Sequence, residues 1–281
     1  MKPAPFAYAK ARSVAHAVEL LSAHDDARII AGGQSLVAML NMRLAAPEIL
    51  IDINDIPGLS EVSVEDGFLR IGALVRYAQA QRSPLVSTHA PLIARAIPHV
   101  AHAAIRSRGT LGGSVAFADP AAEMPACMLA LGARIVIAGV DGEREVAIDD
   151  FFKGLYETAI GPAEMLVALR LPLHGPSRRV AFGEYARRRG DYAMVGLAAT
   201  ARAQGAGLAD VRLAYFSVGL NAVRAQGAEA ALEAGDVEGA VAALDGDLDP
   251  DGDIHASRDT KMHLAGALLR RVAAELSEAA Q

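Results

Sequence analysis

Two short stretches concentrate the residues best suited to hold an anion. Gly32-Gly33-Gln34-Ser35 follows the apolar run Arg28-Ile29-Ile30-Ala31, and Gly109-Thr110-Leu111-Gly112-Gly113-Ser114 follows Arg106 and Arg108. Glycine lacks a Cβ, so successive amide N–H groups can converge on a phosphate at close range. Taken alone the first stretch is a weak signal, because any sharp turn has a use for glycine. The second adds two hydroxyls and two nearby guanidinium groups, a chemically sensible shell for a diphosphate. A diphosphate bridged by amides from both loops would join them across a seam between lobes, and a ligand of that shape is a dinucleotide. Neither loop has the Rossmann spacing G-x-G-x-x-G, and neither ends in the Gly-Lys-Ser/Thr of a phosphate loop.

Other chemistry is sparse. No Ser–His–Asp pattern and no paired carboxylates at an attackable site emerge, so no catalytic side chain is expected. The single Cys127 cannot form an internal disulfide or supply the thiolates of a zinc or iron–sulfur centre. It reads as a small buried hydrophobe among Met124, Ala126, Met128 and Leu129. His99 and His102 are three apart on an expected helix, without a third ligand nearby, so no metal site is expected. Any redox chemistry must come from an organic cofactor or a partner. Arg106 and Arg108 either offset ligand charge or pair with Asp119 or Glu123 to fix the loop. Glu123 also suits the first turn of the helix that follows.

The elements that must position these residues follow from periodicity. Ser13 caps a helix with Val14, Ala17, Val18 and Leu21 on one face, and strands are expected over 28–31 and 49–53. A hairpin turns at Asp66-Gly67, helical segments lie around Tyr77 and over 92–104, and Pro98 interrupts the second of these. The segment 105–120 is too Gly-rich and polar for ordinary helix and too apolar for a linker, so it reads as an ordered loop. Strands are expected over 134–138, 143–148 and 165–171, and Pro172 to Pro176 marks a boundary. Beyond it come strands over 195–203 and 211–220, a helix over 222–234, and a long helix over 259–279.

The sequence resembles the FAD-binding medium subunit of the molybdenum hydroxylase family, which includes aerobic carbon monoxide dehydrogenase, nicotine-type dehydrogenases and xanthine dehydrogenases. The likeness runs over nearly the whole chain. Its most specific motif is Ile-Arg-x-Arg-Gly-Thr-Leu-Gly-Gly-Ser from Ile105, followed by Ala-Asp-Pro-Ala-Ala-Glu-x-Pro from Ala118. Pro5-Phe6, the 31–36 loop, Leu50-Ile51-Asp52-Ile53-Asn54 and the 184–195 segment also match. The resemblance implies an α+β protein, with a two-lobed FAD-binding fold of the vanillyl-alcohol-oxidase and molybdenum hydroxylase type. A C-terminal α+β domain with a three-stranded sheet completes it. The expected divisions are a first lobe over 1–57, a second over 58–175 and the C-terminal domain over 176–281.

What the resemblance implies for the site is one non-covalent FAD. Its diphosphate would lie against Ala31, Gly32, Gly33, Gln34, Ser35 and Leu36 of the first loop and Thr110, Leu111, Gly112, Gly113 and Ser114 of the second, with Arg106 beside it. Asp119 looks like a residue that hydrogen-bonds ribityl hydroxyls, although it also suits a cap on the turn at Pro120. Tyr192 resembles an aromatic that shields the flavin ring, and Tyr185 lies in the same segment; a tyrosine at a domain seam also suits the core. Phe117 stands where many relatives carry histidine and Ser107 where many carry asparagine. The implied role is electron relay. A large molybdopterin subunit would oxidise substrate, a small subunit would carry two two-iron two-sulfur clusters, and this chain would pass electrons to quinone, NAD or oxygen. A dimer of heterotrimers is the implied assembly. A self-contained flavin oxidase and a non-catalytic assembly module are the alternatives.

Composition agrees with a folded chain. Hydrophobic residues make up 52% and charged residues 21% of 281 residues. A formal net charge of −6 gives no global positive field, so no nucleic-acid partner is expected. The most apolar windows are too short to span a bilayer, and a cytoplasmic location is expected.

Overall fold

The computed structural model describes residues 2–205 and 207–278, and in it three hydrophobic clusters mark three packed units. The first unit is a parallel sheet in which Ile49–Asp52 lies between Ala7–Lys10 and Ala27–Ile30. Ile49, Leu50 and Ile51 are buried on both faces, as a central parallel strand requires. The helix Val14–Ala23 covers the sheet, with the Ser13 hydroxyl accepting from His16 N at 3.1 Å. Strand Ala7–Lys10 gave no sequence signal, being short and mostly exposed.

The second unit is an antiparallel five-stranded sheet ordered Val62–Glu65, Phe68–Gly72, Met165–Pro172, Arg134–Gly139, Gly142–Ala147. The Asp66-Gly67 turn joins its first pair of strands, with both turn residues at positive φ (49° and 78°). Helix Glu123–Leu131 fills the middle of this core, and Met124 through Leu131 are buried throughout. The helix expected over 92–104 is observed as Pro91–Ala96 and then Ala103–Arg106. Pro98 and a left-handed Ala101 (φ 40°) separate the two pieces.

The third unit corrects an expectation. Its sheet has four strands, not three: Arg178–Ala186, Ala193–Gln204, Gly207–Phe216 and Val223–Arg224, all antiparallel. The fourth strand is two residues long, paired as Ala214 with Arg224 and Tyr215 with Val223, too short for any alternation to reveal. Arg224 is held there by the buried Glu229, whose carboxylate also accepts from Leu213 N at 2.8 Å. Helices Gln226–Glu233, Val237–Asp247 and Arg258–Ser277 cover the sheet. The last buries Ala265, Leu268, Leu269, Val272 and Leu276 along one face, at roughly 1.5–3 kcal/mol for each large side chain. Ala279, where this helix was expected to end, lies outside the described residues. Among the described residues, no helix is long and apolar enough to cross a membrane.

Candidate functional site

Strand Ala27–Ile30 ends at Ala31, and Gly33 turns the chain with φ +70°, a left-handed conformation that glycine adopts without strain. The neighbouring Gly32 is required for a different reason. A Cβ there would stand 2.3 Å from the Arg108 carbonyl oxygen and 2.9 Å from Gly109 Cα, so the two glycine loops abut backbone to backbone. Gln34 Nε2 donates to Gly32 O at 2.9 Å and braces the turn. Helix Leu36–Met42 then begins at Ser35, whose hydroxyl makes no capping bond. The N–H groups of Gly32, Gly33, Gln34 and Ser35 find no acceptor among the described residues.

The second loop is anchored from below. Gly109 O accepts from Tyr77 N at 3.1 Å, and Leu111 N donates to Val75 O at 3.0 Å. Gly112 presses on Ala73, whose Cα and carbonyl oxygen would each lie 2.6 Å from an added Cβ. The expectation of a loop over 105–120 is corrected here. Residues Leu111–Phe117 form a helix, capped by the Thr110 hydroxyl, which accepts from Gly113 N at 3.0 Å. Local propensity argued against helix at Gly112 and Gly113, and capping together with packing on Ala73 override it. Thr110→Ala is expected to cost about 1 kcal/mol in chemical denaturation, with Thr110→Ser near the parent.

A strut unseen in the sequence ties the two loops together. Arg76 Nη2 donates to Asn54 Oδ1 at 2.7 Å and its Nη1 donates to the Arg108 carbonyl. Asn54 Nδ2 in turn donates to Ala31 O and Asp52 Oδ1, both at 2.8 Å, and Asp52 Oδ2 accepts from Tyr8 OH at 2.6 Å. The hydrogen bonds from Tyr8 and Asn54 hold the Asp52 carboxyl below its ordinary range, against the opposing effect of partial burial. Arg106 turns to its own loop, with Nη1 donating to Val100 O at 2.9 Å and Ala101 O at 3.0 Å. It pairs with neither Asp119 nor Glu123.

Beyond the second loop the chain forms an exposed aromatic wall. Asp119 Oδ1 caps the turn by accepting from Ala121 N at 2.9 Å, which leaves Oδ2 to accept from Tyr192 OH at 3.3 Å. Tyr192 is 71% exposed and is therefore no core residue. Loss of water around its hydroxyl and the Asp119 carboxylate push the phenol up to about 12. Tyr156, unremarked in the sequence, packs on Phe117 with ring centroids 5.0 Å apart and is itself 53% exposed. Tyr185 turns the other way, into the C-terminal core, with Arg271 5.5 Å over its ring. His99 and His102 do not share a helix: His99 Nδ1 meets Glu184 Oε1 at 3.2 Å, and the His102 ring backs the turn at Gly190. The site thus gathers the free amides of Gly32 to Ser35 and, from the second loop, those of Thr110 and Gly112, which find no acceptor among the described residues, with one carboxylate and several exposed aromatic faces, a donor set that fits a dinucleotide with a planar aromatic end.

Residues 4–174 match the family described as the FAD binding domain in molybdopterin dehydrogenase, and residues 180–276 match the CO dehydrogenase flavoprotein C-terminal domain. The chain is 37% identical to the 6-hydroxypseudooxynicotine dehydrogenase complex subunit alpha of Paenarthrobacter nicotinovorans, covering 98% of this chain and 95% of that one. Among solved structures it is similar to carbon monoxide dehydrogenase from Hydrogenophaga pseudoflava, with TM-score 0.96, 35% identity and 98% coverage of both chains. It is also similar to quinoline 2-oxidoreductase from Pseudomonas putida 86, with TM-score 0.92, 39% identity and coverage of 99% and 98%.

Proposed function

The chain belongs to the FAD-binding medium subunits of the molybdenum hydroxylases, and from that premise we propose that it binds one non-covalent FAD and relays electrons through it. The two loops, Ala31–Leu36 and Thr110–Ser114, hold the diphosphate from two sides, through the free amides of Gly32 to Ser35 and of Thr110 and Gly112. Asp119 accepts from ribityl hydroxyls, Tyr192 lies against the flavin ring, and Arg106 holds the 100–106 turn in place beneath them. Bound FAD supplies one- and two-electron redox chemistry, while this chain supplies position, polarity and exclusion of water. The observation that carries the reading is the direct contact of Gly32 with Arg108 and Gly109, which places both sets of amides at one seam.

The names of the relatives support the wider role. The chain works with a large molybdopterin subunit and a small subunit holding two two-iron two-sulfur clusters, in a dimer of heterotrimers. It passes their electrons to quinone, NAD or oxygen. Molybdenum and iron belong to the partners, in keeping with the single buried Cys127 of this chain.

Titration of the purified chain with FAD is expected to saturate at one flavin per chain, all of it released by denaturation. Co-expression with its partners is expected to yield a complex holding molybdenum, iron and flavin. A folded chain that stays colourless in excess FAD overturns the proposal. A loaded chain that oxidises small substrates unaided overturns the relay in favour of a self-contained oxidase.

A further inference from the structure

A buried lysine of the C-terminal domain is tied, contact by contact, to the turn that carries Asp119. Lys261 lies near the start of helix Arg258–Ser277 and is only 8% exposed. Lysine is among the residues least often buried, and near a helix N-terminus its charge gains nothing from the helix dipole. Packing alone does not call for a cation there. Its ammonium meets Asp253 Oδ2 at 2.9 Å and donates to the Ser217 carbonyl at 3.3 Å. The other Asp253 oxygen accepts from His255 N at 2.7 Å and Ala256 N at 3.0 Å. Lys261 and these amides hold the Asp253 carboxyl down to about 2, against the opposing effect of burial, so the pair stays charged at neutral pH.

Ser217 passes the contact on. It follows strand Gly207–Phe216 with φ 64°, a left-handed backbone that is strained for any residue but glycine. Its N–H donates to Pro120 O at 2.8 Å. Its hydroxyl is buried and finds no partner among the described residues, so the backbone of Ser217, and not its side chain, makes the connection. Proline has no N–H, which leaves the carbonyl as the one backbone group by which residue 120 can be held. The residue before it is Asp119, whose Oδ1 caps the turn and whose Oδ2 accepts from Tyr192 OH. The Asp253 loop also has a second arm. His255 Nδ1 stands 3.3 Å from Arg187 Nη1, at the start of the hairpin that carries Tyr192.

We infer that Lys261, Asp253 and Ser217 are positioning residues through which the C-terminal domain holds Asp119 in place for the cofactor. The inference rests on the flavin reading of the site. A carboxylate that accepts from a sugar hydroxyl must stay within about 0.5 Å of its productive place, and the turn at Asp119 owes that precision to a fixed Pro120 carbonyl. The buried ion pair fixes Ser217, and Ser217 fixes Pro120.

The test is a double-variant cycle on FAD affinity, read by fluorescence titration of the full chain. Lys261→Met keeps the apolar stem and removes the ammonium. Asp119→Asn keeps an oxygen to cap Ala121 N but replaces the second acceptor with a donor. Each single variant is expected to weaken FAD binding about tenfold, the worth of one hydrogen bond to a charged group. Because both act on one turn, the double variant is expected to stay within about twofold of Asp119→Asn alone. At saturation, emission of the bound flavin is expected to rise in Lys261→Met as Tyr192 loses its place against the ring, a signature that lowered stability alone does not produce. Ser217→Gly keeps both backbone bonds and relieves the left-handed strain, so parental affinity and equal or higher stability are expected. Where Lys261→Met fails to fold, Asp253→Asn carries the same cycle, since its side chain is 43% exposed and water can reach it. Losses that multiply to about 100-fold in the double variant overturn the inference. So do parental affinity or parental emission in the folded single variant, and a tenfold loss in Ser217→Gly overturns the backbone path. A parent chain that binds no FAD overturns the flavin reading and this role with it, whereas a parent that binds FAD with multiplying losses overturns this role alone.

Discussion

Replacing Gly32 with alanine is expected to deprive the chain of its flavin and to lower its stability measurably. The added methyl would sit 2.3 Å from the Arg108 carbonyl oxygen and 2.9 Å from Gly109 Cα, and both obstacles are backbone. No rotamer change relieves the clash, so the loops must part. Overpacking of this kind costs about 1–3 kcal/mol. The separation also breaks the alignment of the two amide sets proposed to meet one diphosphate. A loss of about 100-fold in FAD affinity, or about 2.7 kcal/mol, is the expected result. Gly246, in helix Val237–Asp247, faces open space and serves as the control. Gly246→Ala is expected to stabilise by about 0.5–1 kcal/mol through helix propensity and to leave flavin binding unchanged. Fluorescence titration with FAD reads both variants, and a Gly32→Ala chain within twofold of the parent affinity would refute the seam between the loops.

The glycine loops were legible because their signal is local: each is a short run of glycine with hydroxyl residues, and two such runs in one chain say more than either alone. Their contact was not legible, since Gly32 meets Arg108 only through the packing of separate lobes. The second loop was misread as irregular because Gly112 and Gly113 argue against helix, while the features that force a helix there are a cap from Thr110 and a close fit on Ala73. Tyr156 had no pattern around it. It joins the aromatic wall from a turn with φ 56°, and only the fold brings it to Phe117. Strand Val223–Arg224 was missed for a related reason, because a two-residue strand is fixed by its partners, Glu229 and the edge of Gly207–Phe216. Long helices with an apolar face needed none of this context, which is why the last helix was read nearly to its ends.

Arg76 is the clearest case of a tie between the loops hidden from sequence, and its replacement is the second large effect expected. It stands 22 residues from Asn54 and 32 from Arg108 in the chain, yet one guanidinium bonds both. The planar fork matters as much as the charge, because two donors at fixed spacing hold the first loop, through Asn54 and Ala31, against the carbonyl of the second. Arg76→Met removes both bonds and leaves two acceptors at a partly buried seam. Hydrogen bonds to a charged group contribute about 1.5–3 kcal/mol each, and solvent around the partly exposed guanidinium weakens the pair, so a stability loss of about 2–4 kcal/mol is expected in urea denaturation. FAD affinity is expected to fall about 10- to 100-fold, since the diphosphate must then order the loops that Arg76 holds in advance. Arg76→Lys separates the two possible reasons. An ammonium keeps the positive charge but cannot span both acceptors, so the lysine variant is expected to bind FAD almost as poorly as the methionine variant. If lysine restores parental affinity, Arg76 acts on the ligand as a charge and the strut between the loops is refuted.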